Sequence, residues 1–197
     1  MTGAAVARQS RNSGLTLIEV LVSVVILLIG LLGLAALMTS SGKAEAESYQ
    51  RAQALLLLQD MVNRINANRA VATCYAVTDA AAGTPFLGVG TELTTPLCGV
   101  GSAEANNRAI QDLLEWSDLL AGAAETLDGS AVGAMAGARG CVTEDSVADR
   151  TYTVSIAWQG LTPTSAPDAA LTCAQDLYGD ERLRRVVSIP IRIGNLN

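Results

Sequence analysis

The sequence predicts an α+β protein: one long N-terminal helix, apolar in its first half, packed on a small antiparallel sheet and braced by disulfides. Three observations predict it. An apolar run over residues 15–38 continues as helical periodicity to about residue 70, two C-terminal stretches alternate with period two, and all four cysteines lie beyond residue 70.

The run from Leu15 to Met38 is broken by a single charge, Glu19. As a helix it would span about 36 Å at ~1.5 Å per residue, enough for a ~30 Å hydrocarbon core. Arg8 and Arg11 precede it with no acid before residue 15, which orients the N-terminus to the cytoplasm and the rest outside. Gly30 and Gly33 each lower helix propensity by about 1 kcal/mol relative to Ala and permit close packing. A cleaved signal peptide is the competing reading, with Ala44-Glu45-Ala46 as a cleavage-like site. The run is longer than the ~7–15 residues of a signal core, and Glu19 sits in the wrong place for one.

Residues 39–70 form the amphipathic half of the same helix. In KAEAESYQRAQALLLLQDMVNRINANR, Ala54, Leu58, Met61 and Ile65 line one face at helical spacing, widened by Leu55, Leu57 and Val62. On the far side Gln53, Asp60 and Arg64 share space with Tyr49, Ala52 and Leu56, which is either scattered surface or a packing patch for another chain.

Residues 71–197 make the globular α+β domain. Residues 75–103, rich in Gly, Thr, Pro and Ala, read as an irregular disulfide-bounded loop, whose GVG lacks the strand, helix and Lys of a phosphate loop. EANNRAIQDLLEWSDLLAG reads as a short helix with Ile110, Leu113, Leu114 and Leu120 inward, and residues 121–140 as a mobile Ala/Gly-rich connection. In TYTVSIAWQG, Tyr152, Val154, Ile156 and Trp158 alternate onto one face. Val187, Ile189, Ile191 and Ile193 do the same in RRVVSIPIRI, with Pro190 marking an edge strand. ARGCVTED supplies a third strand.

Composition excludes several functions. There is no histidine, which removes His-based triads and His-containing zinc sites, and a net charge of −6 argues against nucleic acid. Glu144, Asp145 and Asp149 cluster, as do Asp176, Asp180 and Glu181, but neither has EF-hand spacing and both read as solvated turns. Trp116 and Trp158 read as core. No catalytic constellation, cofactor or metal is expected. Cys74, Cys98, Cys141 and Cys173 show no CxxC spacing and fit two disulfides in an oxidising compartment. Three pairings are possible; the sequential one, Cys74 with Cys98 and Cys141 with Cys173, is preferred.

What explains Glu19 is a resemblance. Gly14-Leu15-Thr16-Leu17-Ile18-Glu19, followed at once by the apolar run, resembles the processing site of type IV prepilins and pseudopilins. There a short basic leader ends in Gly, and a Glu occupies the fifth mature position. The resemblance implies a leader at 1–14, cleavage between Gly14 and Leu15 by a prepilin peptidase, and N-methylation of Leu15, where the family usually has Phe. It implies that Glu19 pairs with the new amine of a neighbouring subunit. It also implies a type IV pilin-like fold.

ILLIGLLGLAALM, RAQALLLLQDMVNRINANR, YTVSIAW and RRVVSIPIRI are further similar to the PilV-type minor pilins, also called type IV pilus modification proteins. That similarity covers most of residues 14–70 and the terminal strands, and little of 75–140. It implies a minor pilin in a priming or tip complex with other minor pilins, the major pilin and an adhesin-like tip protein. Such a subunit would wait in the inner membrane, then enter the pilus and serve assembly, twitching motility and adhesion. A minor pseudopilin of type II secretion is the nearest alternative; a membrane-anchored periplasmic enzyme and a direct adhesin are further ones.

Overall fold

A computed structural model describes residues 16–91, 93, 96–122, 126, 127, 130, 131 and 135–194. The chain divides into two compact units, Met1–Ala44 and Glu45–Asn197. Helix α1 runs Leu17–Ala67, with a 3-10 segment Arg69–Tyr75 after it. There follow β1 (Leu87–Gly88), α2 (Ala103–Leu120), β2 (Thr126–Leu127), β3 (Ser130–Ala131), β4 (Arg139–Ser146), β5 (Thr151–Gln159) and β6 (Arg184–Arg192). The main sheet is antiparallel in the order β1-β4-β5-β6, and β2 pairs with β3 separately. A long apolar helix on a small antiparallel sheet with two disulfides is the α+β, pilin-like architecture expected from the sequence.

The core forms because two periodicities meet. Ala54, Leu58, Met61 and Ile65 of α1 are buried at helical spacing, and Tyr152, Val154, Ile156 and Trp158 of β5 are buried at strand spacing. Fully burying a Leu or Ile stabilises by about 1.5–3 kcal/mol. Leu55, expected to widen the buried face, is exposed, whereas Val62 is buried and Leu57 half-buried. Val187, Ile189 and Ile191 are half-buried because β6 is the edge strand; Ile193, just past its end, is buried. Pro190 lies on that edge and exposed.

Helix α2 begins at Ser102, whose hydroxyl accepts the Ala105 N–H at 3.2 Å. Its buried face is Ala109, Asp112, Leu113, Trp116, Ser117 and Leu120. Ile110 and Leu114, expected inward, are only half-buried. The face is turned because two polar commitments fix it. Asp112 accepts from Arg64 of α1, and Trp116 Nε1 donates to the Leu57 carbonyl at 2.9 Å. Within the irregular 75–103 segment, β1 is a short strand that the sequence did not signal. Part of the 121–140 connection, expected to be mobile, lies outside the described residues; β2 and β3 fall within it, and β4 begins at its end.

Cys74 is bonded to Cys98 and Cys141 to Cys173. The second bridge belongs to an unanticipated feature. Residues 160–183 leave β5 and cross the sheet face opposite the helices. The neck of this excursion is closed by Gly160 N–H to Leu183 O and Thr164 N–H to Arg182 O, both 2.8 Å. Cys141, Ala157, Cys173, Ala174 and Tyr178 form a second small core there, flanked by Phe86 and Val186. Arg184 is 1% exposed beneath it, donating to Glu181 at 2.6 Å and to the carbonyls of Leu171 and Cys173 at 2.6 and 3.1 Å. Arg139 is stacked between Phe86 and Tyr178, 5.1 and 5.0 Å from the ring centroids.

Candidate functional site

The first turn of α1 opens at Thr16. Its carbonyl accepts the N–H of Glu19 at 3.0 Å and of Val20 at 3.3 Å, and its hydroxyl lies 3.4 Å from the Glu19 nitrogen. Thr16-x-x-Glu19 is the spacing of a capping box, and a carboxylate in the first turn also complements the positive end of the helix dipole. Sequence reasoning missed this local role, although Thr three residues before Glu signalled it. Glu19 is exposed, as are the apolar side chains on either side of it, with Leu17 84% and Leu32 71% exposed. The most apolar 18-residue window of α1 has a mean hydropathy of 3.0 and buries none of its residues, so α1 is long and apolar enough to cross a membrane. A Cβ at Gly30 or Gly33 would meet nothing within 4 Å, so both leave open notches on the helix. Gly14 and Leu15, the expected cleavage site, lie outside the described residues.

This geometry, an exposed apolar helix with an acid in its first turn that continues into an α+β unit, is a pilin-like architecture. Residues 9–35 match the family model described as the prokaryotic N-terminal methylation motif. The motif indicates a type IV pilin-like or pseudopilin protein and implies processing by prepilin peptidase and the pilus assembly machinery. Its family is structural rather than catalytic. Together with the apolar helix it indicates membrane anchoring. No curated protein and no solved structure matches the chain.

In the Glu45–Asn197 unit, α1 presents a second face. Tyr49 is 53% exposed, Leu56 65% and Leu55 49%, with Ala52 exposed beside them. Gln53 donates to the Tyr49 hydroxyl at 3.1 Å, which steadies the ring on this surface. The three residues expected to form a packing patch therefore share one uncovered strip, enlarged by Leu55.

Polar clamps hold the opposite side, and the sequence did not foretell them. Glu47 Oε1 accepts from the Thr162 hydroxyl (3.1 Å), from the N–H groups of Leu161 and Thr162 and from Arg185 Nη2 (each 3.2 Å). Desolvation alone would raise its pKa. The Thr162 hydroxyl, Arg185 and the two N–H groups outweigh it and hold Glu47 below the ordinary carboxylate range. Arg64, read from sequence as a solvent-side residue, is instead a hub. It reaches Asp60 at 2.8 Å, Asp112 at 3.0 Å and Glu115 at 2.8 Å, and Tyr75 donates to Asp112 at 2.5 Å. Burial first, then Asp112, pushes the Tyr75 hydroxyl well above the ordinary phenol range, so it remains a donor.

Of the two acid clusters, Asp176, Asp180 and Glu181 lie in turns as expected, and the first cluster departs from the expectation in part. Glu144 and Asp145 stand on β4, where Asp145 accepts the hydroxyls of Thr143 and Thr153 at 3.0 and 2.6 Å, and only Asp149 lies in the following turn. Asp180 caps a short 3-10 turn through Arg182, and Glu181 pairs with Arg184. Among the described residues no group of three or more His, Cys, Asp or Glu is placed to hold a metal. Trp116 and Trp158 are 0% and 4% exposed and belong to the core.

Proposed function

We propose that this chain is a minor pilin of the type IV pilus, of the PilV type, acting in a minor-pilin priming or tip complex. One observation carries the reading. The helix that bears the methylation motif also bears, in the globular unit, the uncovered strip of Tyr49, Ala52, Leu55 and Leu56, so both halves offer apolar surface to neighbouring helices. A subunit of this design is inserted in the inner membrane with its N-terminus cytoplasmic and its domain periplasmic. It is cut between Gly14 and Leu15, methylated at Leu15, and assembled with other minor pilins, the major pilin and an adhesin-like tip protein.

Glu19 acts twice in this scheme. Its carboxylate complements the positive end of the α1 dipole, and in the assembled bundle it pairs with the Leu15 amine of a neighbour, since an unpaired charge among apolar helices is strongly disfavoured. The two roles separate by substitution. Thr16→Ala weakens the cap and leaves the carboxylate, so incorporation into pili persists; Glu19→Gln removes the charge, so incorporation falls. Equal incorporation of Glu19→Gln and wild type would remove the pairing role.

The decisive experiment is the mass of the mature N-terminal peptide from cells with and without prepilin peptidase, coupled to deletion phenotypes. A methylated Leu15 start that needs the peptidase, together with lost twitching and intact secretion, supports the minor pilin. The same start with lost secretion and intact twitching assigns the chain to a type II secretion pseudopilus. A start near Glu47 would sink both.

A further inference from the structure

Arg139, the first residue of β4, is half-buried where the excursion over residues 160–183 meets the segment leading into β1. Its Cζ lies 5.1 Å from the Phe86 ring centroid and 5.0 Å from that of Tyr178. Nη1 donates to the Gly137 carbonyl at 3.3 Å, the same oxygen that accepts the Tyr178 hydroxyl at 2.9 Å. Aromatic rings and a shared carbonyl thus hold the guanidinium in one orientation.

What the arrangement lacks is an anion. Arg64, Arg184 and Arg185, each partly or wholly buried, all meet a carboxylate. Arg139 forms no ion pair with any described residue. Tyr178 does not compensate it, because burial above all holds that hydroxyl above the ordinary phenol range and keeps it neutral. Glu181 is committed to Arg184 and to the Asp176 N–H. The Nε of Arg139 is buried without a hydrogen-bond partner, and Nη2 makes no bond to any described residue. A buried donor on a charged group is costly to leave unpaired. Nε–H and Nη2–H point the same way, and together they form the guanidinium edge that grips both oxygens of one carboxylate. The Nη2 end opens beside Gly90, which is exposed; a Cβ there would meet Nη2 at 3.7 Å and nothing else within 4 Å.

We propose that the free edge of the Arg139 guanidinium binds a carboxylate entering beside Gly90. The carboxylate takes Nη2 first, and Nε as the half-buried Phe86 ring turns aside. A single uncompensated charge and a planar fork suit a carboxylate, whereas a phosphate dianion calls for a second cation, and Arg184 is spent on Glu181. The source is either a small free acid or an acidic residue of another protein, and the two separate in the test. The inference is independent of the pilus reading, because binding is measured on the isolated full chain.

The test is an NMR titration of the full-length protein in detergent micelles with sodium acetate and with N-acetyl-glutamate methylamide. Parallel arms use inorganic phosphate and sodium chloride at matched ionic strength. Acetate should shift the Arg139 Nε–H resonance saturably at millimolar concentration, and with it the ring protons of Phe86, the chain's only Phe. Arg139→Lys keeps the charge and loses the fork, so binding followed at the Phe86 ring should weaken about tenfold. Arg182→Met, which removes an exposed cation of the excursion, should leave it unchanged. Binding of both carboxylates assigns the site to an acidic residue of another protein, and binding of acetate alone to a small free acid. The wild-type titration decides even where the Arg139 variant fails to fold. No saturable shift with either carboxylate, equal shifts with phosphate or chloride, or undiminished binding by a folded Arg139→Lys would overturn the proposal.

Discussion

Gly140 has no room for a side chain. A Cβ there would overlap the indole of Trp116 and the end of Leu120, and Trp116 cannot retreat because its N–H is tied to the Leu57 carbonyl of α1. Gly140→Ala should destabilise the domain by about 1–3 kcal/mol, the usual cost of overpacking, in a denaturant melt. Arg184 makes the complementary case. Replacing it with Met leaves Glu181 and two carbonyls without their donor beneath the excursion, and should cost about 3 kcal/mol. Arg182→Met, removing an exposed pair with Asp180, should leave the denaturation midpoint essentially unchanged on the same assay.

The elements themselves were legible wherever burial imposes a period. Ala54, Leu58, Met61 and Ile65, and the alternation through Tyr152 to Trp158, are repeated choices made against one surface, so the sequence carries them as a pattern. Asp112, Arg64 and Glu47 are single choices made against a distant partner, and no local period records them. For the same reason the excursion over residues 160–183 was hidden: its anchors are Cys173, Tyr178 and Arg184, each matched to a residue on another element. At the candidate site, the motif around Glu19 was readable because it is contiguous, whereas the exposure of Leu55 beside Tyr49 and Leu56 depends on which face of α1 the sheet covers. The Glu47 clamp, joining α1 to the loop after β5, gives an acid-dependent prediction. Its folded pKa lies below the ordinary value of 4.5, so its contribution is complete above that value and is lost as pH falls through the folded pKa. In thermal melts across that window, Glu47→Gln should be about 1–2 kcal/mol less stable than wild type at neutral pH, and the gap should close in acid.

At the scale of the molecule, the two disulfides serve different hydrophobic clusters, the first the main core and the second the small core under the excursion. Cys74–Cys98, closing a separation of 24, ties the end of α1 to the approach to α2; Cys141–Cys173, with a separation of 32, ties the excursion to β4. Replacing either pair with Ser should cost about 2–4 kcal/mol in chemical denaturation. The pairing order has a kinetic consequence as well. For a domain threaded across a membrane in sequence order behind its anchoring helix, Cys98 is the first partner Cys74 meets and Cys173 the first that Cys141 meets once the earlier pair is closed. An oxidant that simply joins each thiol to the next one to emerge therefore produces the native bonds. Maturation of this chain should need a disulfide donor but no proofreading isomerase.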